Sequence, residues 1–165
     1  MNKHYELPSV RLRALEPEDL DELYTIENDV DLWNVGATNV PYSKYALHNY
    51  IASSSSDIYT DRQVRLIIEN QKRDIVGIID VFNFDPTHRR AEIGIVVKNQ
   101  YRKKGYAQAA LDKIICYSRE IIHIHQLYAY VGEDNIESKK SFLTAGFVTS
   151  TMLQDWLFDG HDYKN

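Results

Sequence analysis

Hydrophobic and polar positions alternate along the chain with two periods, and the changes from one period to the other lay out the fold. Residues 10–14 read Val-Arg-Leu-Arg-Ala, a period of two that predicts a short strand. Pro17 opens a helical pattern in which Leu20, Leu23 and Tyr24, with Glu27, recur on successive turns; proline suits a first turn, where its missing N–H costs nothing. Ser43 is placed to cap a second helix, which the serine run 53–56 ends. Apolar runs at 64–69 and 75–84, parted by the polar turn Asn70-Gln71-Lys72-Arg73-Asp74, predict two strands, and a further strand is predicted at 90–97. The helix after Gly105 is the most regular: Ala107, Ala110, Leu111, Ile114 and Ile115 form one apolar stripe. A strand at 126–132, a helix at 135–145 closed by Gly146, and a strand at 147–158 follow. Asp159-Gly160 then signals a tight hairpin, with only five residues left for the return strand. Either those residues complete the strand or a partner subunit lends one, which admits a homo-oligomer.

This order predicts a mixed α/β fold, one domain over residues 1–165 without repeats or linkers. Composition narrows the function. With 44% hydrophobic and 26% charged residues the chain can bury a proper core. A net charge of −5 argues against a nucleic-acid partner, which needs an excess of Lys and Arg. Residues 16–31 hold Glu16, Glu18, Asp19, Asp21, Glu22, Glu27, Asp29 and Asp31 and no Lys or Arg, either a solvated face or a field that attracts a cation. One cysteine, Cys116, leaves no internal disulfide, and neither the start Met-Asn-Lys-His-Tyr nor any later run is apolar enough for a signal peptide or a membrane span. The cytoplasm is the expected location.

The candidate chemistry lies in two places. Arg102, Lys103 and Lys104 stand before Gly105 at a helix start, where cations oppose the helix dipole unless an anion sits among them. A strand, a short loop with glycine and a helix direct free N–H groups at such an anion; the alternative is a solvated basic turn. Glu92, amid apolar strand positions, is either paired with Arg89 or Arg90 or faces a substrate. Neither a G-x-x-x-x-G-K-[ST] nor a G-x-G-x-x-G motif is present, and no G-x-S-x-G suggests a serine hydrolase. His123 and His125 have a spacing seen in metal sites but no third ligand nearby except Cys116, on a helix, so no metal is expected. Trp33 and Trp156 are expected in the core or a pocket wall.

Arg102-Lys103-Lys104-Gly105-Tyr106-Ala107 resembles the Q/R-x-x-G-x-G/A signature of the GNAT superfamily of acetyltransferases. His88-Arg89-Arg90-Ala91-Glu92-Ile93-Gly94-Ile95-Val96-Val97 is similar to that family's fourth strand, and Asn135-Ile136-Glu137-Ser138, with Phe142 and Ala145-Gly146-Phe147, to its N-x-x-(S/A) helix ending in G-F. Within the family, the likeness is greatest to spermidine N-acetyltransferases and to N-terminal acetyltransferases of ribosomal proteins. The resemblance implies a central, mostly antiparallel mixed sheet of about six to seven strands flanked by helices. It implies acetyl-CoA as co-substrate, with backbone groups of Ile95, Val96 and Val97 along the pantetheine arm, amides of Arg102, Lys103, Lys104, Gly105, Tyr106, Ala107 and Gln108 around the pyrophosphate, and Asn135, Ser138 and Phe142 near the sulfur end. It also implies Glu92 as the group that assists deprotonation of a primary amine, on a small molecule such as a polyamine or at a protein N-terminus.

Two departures qualify this expectation. Relatives carry a tyrosine, the proposed acid for the thiolate, where this chain has Phe142. Either the thiolate leaves unassisted, or Ser138, Ser141, Tyr130 or water substitutes, or the chain is a CoA-binding module with little catalysis. Spermidine relatives also place acidic residues before a Pro-Tyr pair, whereas Pro41-Tyr42 follows Asn39-Val40.

Overall fold

The computed structural model describes residues 6–33 and 40–165. Five strands form the central sheet in sequence order. β1 (Val10–Ala14), β2 (Val64–Asn70), β3 (Ile75–Asp85) and β4 (Arg90–Val97) pair antiparallel in turn, and β5 (Gln126–Tyr128) joins β4 in parallel. A separate hairpin pairs β6 (Leu157–Phe158) with β7 (Tyr163–Lys164).

The period of two sorts the sheet's side chains onto two faces, each covered by helices. On one face Ile68, Ile79, Val81, Ala91 and Ile93 pack against Ala110, Leu111 and Ile114 of α5 (Tyr106–Glu120) and Phe142 of α6 (Ile136–Thr144). On the other, Ile67, Ile78 and Val96 meet Leu23 and Ile26 of α1 (Leu20–Glu27) and Leu47 of α3 (Lys44–Ser53). Two short helices, α2 (Val30–Trp33) and α4 (Ile58–Asp61), complete the set. The apolar stripe of α5 buries Ala110, Leu111 and Ile114 completely. Full burial of an aliphatic side chain the size of Leu or Ile stabilises by about 1.5–3 kcal/mol, so this stripe anchors the helix whose start forms the site.

Local signals are used as the chain pattern suggests. The Ser43 hydroxyl accepts from the Ala46 N–H at 3.0 Å and caps α3. Asn135 caps α6 by accepting from the Ser138 N–H at 3.2 Å. After α6, Gly146 N–H reaches the Leu143 carbonyl and Phe147 N–H the Phe142 carbonyl, a Schellman closure.

Two expected strands are shorter than their patterns. Of 126–132 only Gln126–Tyr128 joins the ladder, although Leu127, Ala129 and Val131 still alternate into the core. Of 147–158 only Leu157–Phe158 is a strand. The Phe147 N–H is spent on closing α6 and its ring sits 5.0 Å from that of Phe142, while Val148 beyond is 83% exposed. A strand needs a neighbour with free backbone groups, and among the described residues 148–153 meet none. The return strand forms within the chain: Trp156 N–H donates to the Lys164 carbonyl at 2.8 Å, and Glu133 N–H to that of Asn165 at 3.0 Å.

Candidate functional site

The sheet opens between β4 and β5. Their parallel pairing covers Arg90–Glu92 against Gln126–Tyr128 and stops, leaving residues 93–97 of β4 with no ladder partner on that side among the described residues. Which backbone groups face the gap follows from the ladder with β3. The Lys98 N–H donates to the Val76 carbonyl at 2.9 Å, and antiparallel pairing alternates residue by residue. Val96 therefore turns its N–H and C=O toward β3, and Ile95 and Val97 turn theirs toward the gap. Gly77 shows the same orientation independently, since a Cβ there would lie 2.1 Å from the Val96 carbonyl oxygen. Of the three residues expected to present backbone groups, Ile95 and Val97 do so, while Val96 contributes its side chain to the core on the α1–α3 face.

At the end of β4 the chain makes a 3-10 turn (Asn99–Tyr101) and enters α5 through Gly105. Gly105 has φ +84°, and a Cβ on it would approach Pro8 Cδ to 3.0 Å and Leu7 Cδ2 to 3.3 Å, so both the turn and the packing require glycine. No side chain caps α5. Its first internal bond runs from Ala109 N–H to the Gly105 carbonyl at 3.0 Å, which leaves the amides of Tyr106, Ala107 and Gln108 directed out of the helix start. The three cations do different things. Arg102 Nε donates to the Val97 carbonyl at 3.0 Å, bracing the loop against β4. Lys104 Nζ is held by the Gln100 carbonyl at 2.8 Å, and Lys103 reaches Glu137 of α6 at 3.1 Å. Arg102 is thus in part a structural brace, and the uncapped amides beside Gly105 are the groups this helix start leaves open.

Glu92 points to the α1–α3 face of the sheet, beside the opening. It pairs with neither Arg89, whose guanidinium binds the His123 carbonyl, nor Arg90, which lies 3.3 Å from Asp85. Its Oε2 instead accepts from Asn83 Nδ2 at 2.9 Å. Tyr128 stands opposite in the parallel ladder, and its phenol is pushed up first by burial and then by the charge of Glu92. Tyr130 continues this wall, with its ring 5.8 Å from Tyr128 and stacked on Trp156 at 6.2 Å. Trp156 is 60% exposed, a surface wall and not a core residue.

The same face holds an ion cluster that the chain pattern signals through Arg65 and Asp80, ionisable residues within apolar strands. Arg65 on β2 binds Asp80 through Nε at 2.7 Å and Nη2 at 2.9 Å, binds Glu27 of α1 through Nη1, and lies 5.4 Å from the Tyr50 ring centre. Burial opposes its charge, but Asp80 and Glu27 outweigh that and hold the guanidinium above its ordinary pKa. Much of the acidic segment is likewise neutralised: Asp19 pairs with Arg13, Asp21 with Lys44 and Glu22 with Lys98. Its charge serves largely to join α1 to its neighbours.

Asn135 and Ser138 meet at the start of α6, the Asn135 carbonyl oxygen being engaged as the cap. Phe142 is 7% exposed, edge-on to Phe147 within the core, and offers no proton. His123 and His125 lie in the turn before β5, exposed, and no group of three or more His, Cys, Asp or Glu among the described residues is arranged to hold a metal ion. The Trp33 side chain and Asn39 lie outside the described residues.

Residues 9–148 match the family model of the acetyltransferase (GNAT) domain. The spermidine N(1)-acetyltransferase of Vibrio cholerae is 23% identical over 158 residues, covering 93% of this chain and 87% of that protein. The putative ribosomal N-acetyltransferase YdaF of Bacillus subtilis is 26% identical over 156 residues, covering 90% and 83%. Among solved structures, spermidine N-acetyltransferase from Vibrio cholerae in complex with CoA and spermine superposes with a TM-score of 0.84 at 24% identity, over 94% of this chain and 90% of that one. A split between β4 and β5, an uncapped helix start behind a glycine turn and a family match across most of the chain agree: this protein belongs to the GNAT acetyltransferase family and is an N-acetyltransferase that uses acetyl-CoA.

Proposed function

We propose that the protein transfers the acetyl group of acetyl-CoA directly to a primary amine on a small polyamine-like acceptor, with Glu92 as the base. The observation that carries this reading is the position of the Glu92 carboxylate, on the sheet face beside the point where β4 parts from β5. The residues fit the co-substrate. The amides of Tyr106, Ala107 and Gln108 with the Gly105 turn suit a pyrophosphate, and the outward backbone groups of Ile95 and Val97 suit the amide-bearing pantetheine arm. When bound, acetyl-CoA supplies the activated acetyl thioester.

The chain's own task is chiefly the proton. An amine of pKa about 10.4 must lose a proton at pH 7, which costs about 4.6 kcal/mol at roughly 1.36 kcal/mol per unit. Glu92, directly or through one water, takes that proton and frees the nitrogen lone pair; as the N–C bond then forms and the C–S bond breaks, the nitrogen's second proton goes to the departing thiolate or to solvent. A thiol of pKa about 8.5 leaves only about 2 kcal/mol for an acid to supply, so a core phenylalanine at position 142 is compatible with turnover. The polyamine acceptor is supported by the names of the relatives, which include a spermidine N(1)-acetyltransferase, and by the carboxylate and aromatic wall of Glu92, Tyr128, Tyr130 and Trp156. A protein N-terminus is the second reading, motivated by the likeness to a putative ribosomal N-acetyltransferase. A cytoplasmic setting and assembly of several copies accord with both.

Thiol release from acetyl-CoA across spermidine, diamines, amino acids and N-terminal peptides separates the readings. Release that depends on spermidine or a diamine supports the first, and release with peptides alone supports the second. CoA binding without acceptor-dependent release would reduce the protein to a binding module. A further expected outcome concerns the cradle. Gly105→Ala places a Cβ 3.0 Å from Pro8 at φ +84°, a left-handed backbone that costs a non-glycine residue roughly 1–2 kcal/mol. The shift that relieves it moves the helix-start amides, so KM for acetyl-CoA rises about tenfold with kcat little changed, as steady-state kinetics at saturating amine will show.

A further inference from the structure

Glu92 is held by a residue that lies outside the recognised motifs. The register of β3 against β4 shifts between Phe82 and Asp85, and within this bulge Asn83 takes a left-handed φ of 51°. Asparagine is among the few side-chain-bearing residues that adopt this conformation readily. Bulges re-aim side chains, and here the result is the 2.9 Å bond from Asn83 Nδ2 to Glu92 Oε2. The other charged or titratable groups around Glu92 do not hold it. On β3 and β4, Asp85 and Arg90 pair with each other at 3.3 Å. On β5 and beyond it, Tyr128 stands opposite, its phenol raised in part by the Glu92 charge, and Tyr130 packs against Tyr128. Among the described residues, Asn83 is the one hydrogen-bond donor to the Glu92 carboxylate.

We infer that Asn83 is a positioning residue for the reaction: its amide fixes the direction in which the Glu92 carboxylate points. This rests on the assignment of Glu92 as base. Without that donor the carboxylate samples other rotamers, and fewer of its orientations reach the acceptor amine.

Two variants test this. Asn83→Gly keeps the left-handed backbone and removes the amide; Asn83→Asp keeps the shape and places a like charge against Glu92. For Asn83→Gly the expected result is a kcat about three- to tenfold lower at neutral pH and an unchanged KM for acetyl-CoA. Asn83→Asp, which cannot donate and repels the carboxylate, lowers kcat further in the same direction. With kcat taken per CoA-binding site, a variant of lower stability still gives an answer. Glu92→Gln, alone and combined with Asn83→Gly, separates the two claims. If Glu92→Gln slows turnover and Asn83→Gly adds nothing to it, both claims stand. If Glu92→Gln slows turnover but Asn83→Gly leaves kcat unchanged, or lowers it equally with and without Glu92, the inference about Asn83 is overturned and the base assignment survives. If Glu92→Gln leaves kcat unchanged, the base assignment fails, and the inference with it.

Discussion

Glu92→Gln lowers kcat with an amine acceptor at pH 7 by about 10²–10⁴-fold, the usual contribution of a positioned general base. The variant isolates the proton. Glutamine has nearly the same shape, and its carbonyl oxygen still accepts from Asn83, so the bulge in β3 and the wall formed with Tyr128 persist. KM for acetyl-CoA stays near the wild-type value, because the cradle at Gly105 and the edge at Ile95 and Val97 are on other parts of β4 and α5. The deficit is also pH-dependent in a definite direction. As pH rises toward the amine's own pKa of about 10, solvent removes the proton that Glu92 otherwise takes, and the gap between variant and wild type narrows. A pH–rate profile of both proteins measures this, and equal kcat at pH 7 would remove Glu92 from the mechanism.

The largest expected effect on stability lies at Arg65. Arg65→Met keeps a long apolar stem but takes away the cation that Asp80 and Glu27 share. Removing one member of a fully buried ion pair costs about 3–5 kcal/mol, and the partial exposure of this cluster brings that to about 2–3 kcal/mol. For a chain of this length the melting temperature then falls by roughly 5–10 °C. The cluster ties α1 to β2 and β3 on the face that carries Glu92, so acceptor KM rises as well. Replacing Asp80 by asparagine in the same protein restores part of the stability, since the uncompensated charge is what is costly. Thermal unfolding of the two variants checks the order. An Arg65→Met protein that melts with the wild type would show the cluster to be ornamental to the fold.

How much of this was legible in the chain depends on how local each signal is. The stripe from Ala107 to Ile115 announces α5 because burial on one side of a helix repeats every third or fourth residue, whatever the partner. Strands β1 and β4 coincide with their alternating runs for the same reason. The run 147–158 misled because a strand also needs an edge to pair with, and the edge of the sheet that lies nearest in the chain, β5, ends at Tyr128. The glycine turn into an uncapped α5 was readable from Gly105 and the stripe behind it. The division of labour among Arg102, Lys103 and Lys104 was not, since it depends on where the Val97 carbonyl and Glu137 come to lie. Glu92 stood out as a carboxylate in an apolar run, and Asp80 carried the same signal. Asn83 was invisible, because its role arises from a register shift between two strands.

We propose that acetyl-CoA lies across the gap between β4 and β5 with its pyrophosphate at the start of α5. Backbone amide NMR during titration with acetyl-CoA measures it most directly. The expected result is that the largest shifts fall on Ile95, Val97, Tyr106, Ala107 and Gln108, with Val96 moving less because its N–H is bonded to β3. Shifts confined to other parts of the sheet, or none at saturating acetyl-CoA, would contradict the account.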